Sequence, residues 1–123
     1  MTILLDGFKQ ILASNIRHAS IVHDIYWACN ETVRPVSASD ISDFVRELNA
    51  YKTEPSFGVL AGLHVSAAIN QSPDTTISLD VTALPALEFL CYGLHGKTLH
   101  VTGNVGQGFC QYGSIGTTRL TGN

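Results

Sequence analysis

The first third of the chain has the apolar spacing of helices. Apolar side chains recur there in steps of three and four residues, the period of an amphipathic helix, and polar Asn15 takes the one missing position. An unbroken helix over residues 2–30 would be about 43 Å long, which is longer than a compact domain of this size. The pattern predicts either two helices that break near Ser14 and Asn15 or one helix that projects toward a partner. The apolar series is Leu5, Phe8, Leu12, Ala19, Val22, Tyr26 and Cys29.

A further helix is predicted between residue 39 and Pro55. Ser39 or Asp40 would cap its first turn, and Asp40 and Asp43 would place negative charge at its positive end. Proline cannot continue a helix, so the helix should end before Pro55. The buried face is predicted from residues that keep helical spacing: Ile41, Phe44, Val45, Leu48 and Tyr51.

From Phe57 the period of the pattern changes to two. Larger apolar residues alternate with mostly small ones over Phe57–Ile69, which predicts a long strand with a close neighbour on its small-residue face. Residues 70–74 have the composition of a turn, and alternation resumes over Ile77–Val81, so a hairpin is expected. A third strand is predicted at Leu87, Phe89 and Cys91.

Helices followed by strands predict a single α+β domain over residues 1–123. We expect a helical part over about residues 1–54 and a β part over about residues 57–123. The N-terminal helices would pack on a C-terminal, largely antiparallel sheet. The glycine-rich tail is also compatible with the start of a β-solenoid.

That tail nearly repeats itself. Eight of the eleven glycines lie between residues 93 and 122. Gly96 matches Gly116 and Gly103 matches Gly122, at intervals of 20 and 19 residues. One coil of a β-solenoid has about this length, with glycine or asparagine at its corners.

Two architectures fit the tail. A hairpin would pair residues 98–102 with 117–121 in antiparallel fashion, although the connecting segment 105–115 is longer than most hairpin loops. A solenoid would make the same strands parallel, although about three repeats are normally needed to bury a solenoid core. Strand direction separates the two.

The run G-K-T-L-H-V-T-G-N-V-G-Q-G-F, at Gly96–Phe109, carries a family resemblance. It resembles the G-x-x-G-x-x-x-G repeats in the C-terminal domain of the glutamate synthase large subunit, which the C subunit of formylmethanofuran dehydrogenase shares. The resemblance covers only residues 93–123. It implies a right-handed parallel β-helix with a mainly architectural role, and it assigns no catalytic residue.

Composition narrows the classes of partner. Hydrophobic residues make up 45% of the chain and charged residues 14%, against a usual charged share of about 25%. So few charges favour a homo-oligomer, or a surface covered by further chain of the same protein. The net charge of −3 and the scattered basic residues argue against nucleic acid, and no apolar run has the length of a membrane span. Three cysteines without a C-x-x-C pair, and no targeting signal, favour the cytoplasm.

Few residues suggest chemistry. The set most like a metal site is Cys91, His95, His100 and Cys110, because zinc favours sulfur and nitrogen ligands, although the spacing matches no standard finger. Buried thiols and surface or core histidines are the simpler interpretation. Cys110 with His95 or His100 would also suit a nucleophile and its base. His18 and His23 lie five residues apart, which is not the spacing of ligands on one helical face. No cofactor is expected.

Two functional hypotheses follow. The first is a non-enzymatic structural or protein-interaction module that self-associates. The alternative is a small-molecule-binding or enzymatic α+β domain with an apolar pocket between helices and sheet. His64 and Ser66, on the small-residue face of the predicted long strand, would orient a ligand there. A hydrogen-bonded residue or an edge residue is the simpler interpretation of His64.

Overall fold

A computed structural model describes residues 3–14, 21–54, 56–106 and 116–121, with Ile3 and the last segment described by backbone only. Within these residues four helices come first: α1 at Ile3–Ala13, α2 at Val22–Thr32, α3 at Ala38–Glu47 and α4 at Phe57–Gln71. A 3₁₀ turn at Leu48–Tyr51 follows α3. Three strands follow in the described part of the chain: β1 at Thr76–Asp80, β2 at Lys97–Thr102 and β3 at Gly116–Thr121.

The first apolar series forms two helices, as one of the two alternatives predicted. α1 ends at Ala13, next to Ser14, whose hydroxyl donates a hydrogen bond to the Ile11 carbonyl over 2.9 Å. The long projecting helix is therefore excluded.

The predicted face of α3 is confirmed, but its cap lies earlier in the chain. Ile41, Phe44 and Val45 are buried. The cap is Ser37, whose hydroxyl accepts the Asp40 N–H over 3.2 Å, rather than Ser39 or Asp40. A carboxylate from a distant segment also caps α3, because Asp74 Oδ2 accepts the Ala38 N–H over 2.7 Å. The two caps fix α3 beside the start of β1.

The predicted strand at Phe57–Ile69 is wrong, because these residues form most of α4. Eleven residues of α4 are buried, so this helix is apolar on nearly every face and has no polar stripe to show a period of 3.6. Its small residues do permit a close neighbour, as expected: a Cβ on Gly62 would lie 1.9 Å from the Glu88 carbonyl oxygen. The hairpin predicted between this segment and Ile77–Val81 is therefore wrong as well.

The sheet is parallel, and the antiparallel prediction is wrong. The strand order is β1–β2–β3, and both pairs are parallel. Leu99 lies opposite Ile77 on one side and Thr118 on the other, so the tail does not form the antiparallel hairpin. The mixed α+β class holds, with helices before a small parallel sheet.

The third predicted strand reduces to a single bridge. Leu87 makes an isolated parallel bridge with Val105, and the chain then turns. Phe89 and Cys91 have positive φ values of 58° and 62°, which an extended strand does not contain. These two residues therefore belong to a turn.

Candidate functional site

A concave aromatic surface lies between α2 and the turn before β2. His23, Tyr26 and Trp27 of α2 line a cavity of about 590 Å³ together with Tyr92 and Gly93. We call these five residues the aromatic pocket. Spacings of three and four residues bring the three α2 side chains to one face of the helix. Trp27 is 50% exposed, an unusual degree for the largest apolar side chain.

A hydrogen-bond relay orients three of the rings. Trp27 Nε1–H donates to His23 Nε2 over 2.6 Å, so His23 in this arrangement is neutral with its proton on Nδ1. That proton is donated to the Tyr92 hydroxyl oxygen over 3.2 Å. The relay therefore uses both ring nitrogens of His23 within the wall of the pocket.

The rings meet at steep angles rather than in a stack. Trp27 is inclined by 80° to His23 and by 73° to Tyr26, with ring centroids 5.7 Å apart in both pairs. Tyr26 and Tyr92 are 5.0 Å apart and inclined by 44°. Edge-to-face pairs of this kind hold aromatic walls in fixed orientations.

Two polar residues of α4 hold Tyr92 in place. Asn70 Nδ2 donates to the Tyr92 carbonyl over 3.0 Å and to the Tyr26 hydroxyl over 2.9 Å. Ser66 Oγ accepts the Tyr92 N–H over 3.1 Å, and its single proton is shared between the Gly62 carbonyl at 2.7 Å and the Phe89 carbonyl at 3.0 Å. Burial raises the pKa of Tyr26, only partly opposed by its bond from Asn70, so this hydroxyl stays protonated at neutral pH.

The two ligand candidates from the sequence lie in the core rather than on a strand face. His64 and Ser66 are completely buried in α4, and neither lines the aromatic pocket or the groove described below. His64 Nε2–H donates to the Leu4 carbonyl over 3.1 Å, while its Nδ1 has no hydrogen-bond partner. Burial lowers the pKa of His64 to about 4, so the ring is neutral at pH 7. The aromatic rings of Phe8 and Phe44 flank it.

A second cavity of about 580 Å³ lies between α3 and the sheet. This groove has polar residues on its rim, including Ser42, Arg46 and Asp80. Ser42 donates to the Ser78 carbonyl over 2.9 Å, and Asp80 accepts the Thr82 hydroxyl over 2.5 Å. The hydrogen bonds from Thr82 hold the pKa of Asp80 below its usual value. These polar groups are therefore used within the fold.

Three of the four proposed metal ligands lie among the described residues, and these three do not form a metal-binding group. Cys91 is buried, His95 is exposed and His100 lies half-buried on β2, while Cys110 falls outside the described residues. Within the part of the chain that the structure describes, no three histidine, cysteine or acidic side chains form a group that could hold a metal. The pairing of Cys110 with His95 or His100, and the position of His18, also lie outside the described residues. Cys29 is a buried thiol whose pKa burial raises to about 12.

Comparison with known protein families, with curated proteins and with solved structures finds no match to this chain. None of the helices over the described ranges combines the length and hydropathy that crossing a membrane requires.

Sequence reasoning missed the aromatic pocket. The feature of the sequence that indicates the pocket is the spacing of His23, Tyr26 and Trp27, which places three rings on one helical face. Tyr92 could not be added from the sequence, because a turn at positive φ brings it to α2.

Proposed function

We propose that this chain is a non-enzymatic structural module that associates with a second copy of itself through the outer edge of β3. The observation that carries this proposal is the difference between the two edges of the sheet. α3 lies against the outer edge of β1 through the bond from Ser42 to Ser78. No strand in the described ranges pairs with the outer edge of β3.

The direction of the backbone groups supports the assignment of the two edges. Val81 N–H donates to the Thr102 carbonyl over 2.8 Å, and Thr98 N–H donates to the Thr75 carbonyl over 2.7 Å. Successive residues of a parallel strand direct their backbone groups to opposite edges, so Ser78 faces away from β2. Ser42 therefore satisfies an outward-facing carbonyl of β1.

The same alternation applies to β3. Thr98 faces β1, so Leu99 faces β3, and its partner in register is Thr118. Thr117 then directs its N–H and carbonyl to β2, while those of Thr118 face the outer edge. Such an edge pairs with other strands unless charges or prolines protect it, and the β3 sequence GTTRLT has one charged residue and no proline.

A second copy is the partner that this edge suits best. A twofold axis is the commonest symmetry of homo-oligomers, and it makes the two β3 strands antiparallel. An axis at Thr118 places Thr117 of one copy opposite Arg119 of the other, so the two Arg119 residues do not face each other. The charged share of only 14% also favours association over a fully solvated surface.

We further propose that the three strands are stacked positions of a short parallel β-solenoid, with the helices as the cap at β1 and the second copy covering its open end at β3. The register offset is 22 residues between β1 and β2 and 19 residues between β2 and β3, close to one solenoid coil. The bridge from Leu87 to Val105 gives a second stacked position on another side of the coil. A helical cap protects the first coil as terminal repeats do in solenoids. The resemblance to the glutamate synthase repeat is part of this proposal.

Light scattering after size exclusion tests the association. At tens of micromolar we expect a particle of twice the 13.2 kDa chain mass. Thr118→Pro removes an outward-facing N–H and blocks the edge, so it should give a folded monomer. Thr117→Pro, the matched variant, removes an N–H that pairs with β2 and should destabilise the sheet itself.

A monomeric native chain at these concentrations would contradict the proposal. A Thr118→Pro variant that stays dimeric, with an unchanged circular dichroism spectrum, would show that the interface lies elsewhere.

A further inference from the structure

We propose that the aromatic pocket binds a quaternary ammonium group. A ring face attracts a cation, and the attraction is strongest when several rings surround it. Tyr26, Trp27 and Tyr92 line one side of a cavity of about 590 Å³, to which Trp27 exposes half of its surface and the two buried tyrosines much less. The pocket is separate from β3, so this inference stands independently of the proposed dimer.

The hydrogen bonds of the pocket decide which ligand chemistry fits. Trp27 Nε1–H and both ring nitrogens of His23 are engaged in the relay, and the Tyr26 hydroxyl accepts from Asn70. A sugar needs several directed hydrogen bonds, and the Trp27 and His23 nitrogens would have to exchange their bonds in the relay to supply them. A quaternary ammonium needs none, because it has no N–H to satisfy. The wall therefore suits a ligand that is cationic and apolar at its surface.

The charged residues near the pocket also favour a cationic ligand. Asp24 and Glu31 are exposed on α2, three residues before and four residues after Trp27, so both neighbour it on the helix surface. α2 carries no lysine or arginine. Arg34 follows the helix, about 10 Å further along its axis than Trp27, and it donates to the carbonyls of Glu31 and Val33. The charges of the described residues on α2 thus favour a cation over an anion.

Choline chloride is the probe that tests this proposal, because Trp27 is the single tryptophan of the chain and reports directly on the pocket. We expect a saturable change in tryptophan fluorescence at millimolar choline. The neutral isostere 3,3-dimethyl-1-butanol has the same shape without the charge, and it should bind at least about fivefold more weakly. Sodium chloride at matched ionic strength should produce no saturable change.

Single-residue variants test whether choline binds in the aromatic pocket. By saturation transfer to the choline methyl protons, Trp27→Leu should weaken binding about fivefold or more, and Tyr92→Leu should do the same. Ile21→Ala is the matched control, because Ile21 is 59% exposed next to the start of α2 and does not line the pocket. It should leave the affinity unchanged. Circular dichroism checks that each variant is folded.

Three results would overturn the proposal. The first is no saturable response to choline up to 100 mM. The second is equal affinity for choline and its neutral isostere, which would indicate an apolar site with no preference for charge. The third is unchanged choline binding in folded Trp27→Leu, which would place the cation elsewhere.

Discussion

The hydroxyl of Ser42 donates a hydrogen bond to the carbonyl of Ser78 over 2.9 Å, and this contact joins α3 to the first strand of the sheet. Its partner carbonyl faces away from β2, so no strand of the described sheet satisfies it. A helix side chain therefore takes the place of a fourth strand at this edge. The contrast with β3 forms the basis of the functional proposal.

Removing the Ser42 hydroxyl should measure what this contact contributes. Ser42→Ala should lower the free energy of unfolding by about 1 kcal/mol relative to Ser39→Ala, which makes the same change at an exposed position of α3. Urea denaturation of the two variants gives the difference. Equal stabilities would mean that the bond contributes nothing to docking of α3.

His64 should make the fold sensitive to acid. Burial holds its pKa at about 4 in the folded chain, against the usual 6.5 of a histidine, so the unfolded chain binds the extra proton between these values. Stability therefore falls as the pH drops from about 6.5 to about 4, by about 3 kcal/mol for this group. Urea titrations at pH 7 and pH 4 measure the loss.

His64→Gln is the control for this titration. Glutamine keeps an N–H that can reach the Leu4 carbonyl but does not titrate, so the variant should lose about 3 kcal/mol less than the native chain between the two pH values. The same pH dependence in both proteins would exclude His64 as its source.

Gly103, at the end of β2, should tolerate no side chain. Its φ is +118°, and a Cβ there would lie 2.8 Å from the Thr82 backbone nitrogen. Gly103→Val should therefore cost more than about 1 kcal/mol in thermal or urea unfolding. Thr102→Val, at the exposed neighbouring position, should stay within about 0.5 kcal/mol of the native chain. A stable Gly103→Val variant would show that this corner has a different conformation.

The sequence predicted those elements whose two faces differ in polarity. α3 was predictable because its buried residues Ile41, Phe44 and Val45 alternate with polar ones in helical steps. α4 was not, because burial on almost all sides removes the polar stripe, and the two-residue alternation of Phe57–Ile69 then favours a strand. The conformation of a segment without a polar face depends on the elements that pack around it. These elements cannot be inferred from the sequence of the segment itself.

Strand direction and the aromatic pocket depend on contacts distant in sequence. The corner glycines Gly96 and Gly103 fitted a coil and a hairpin equally well, and only the pairing of Leu99 with Thr118 separates the two. The pocket needs Tyr92 to reach α2, which depends on hydrogen bonds from Ser66 and Asn70. The sequence pattern indicated Ser66 as a ligand-binding residue. In the structure its hydroxyl instead bonds to backbone groups, including the N–H of Tyr92.

The most direct test of the proposed module is isotope-filtered NMR on a mixture of labelled and unlabelled chains, which detects only contacts between copies. We predict a contact between the Hα protons of Thr117 in one copy and Arg119 in the other, as an antiparallel pair centred on Thr118 requires. Contacts between copies confined to residues outside β3, or none at all at tens of micromolar, would contradict the account.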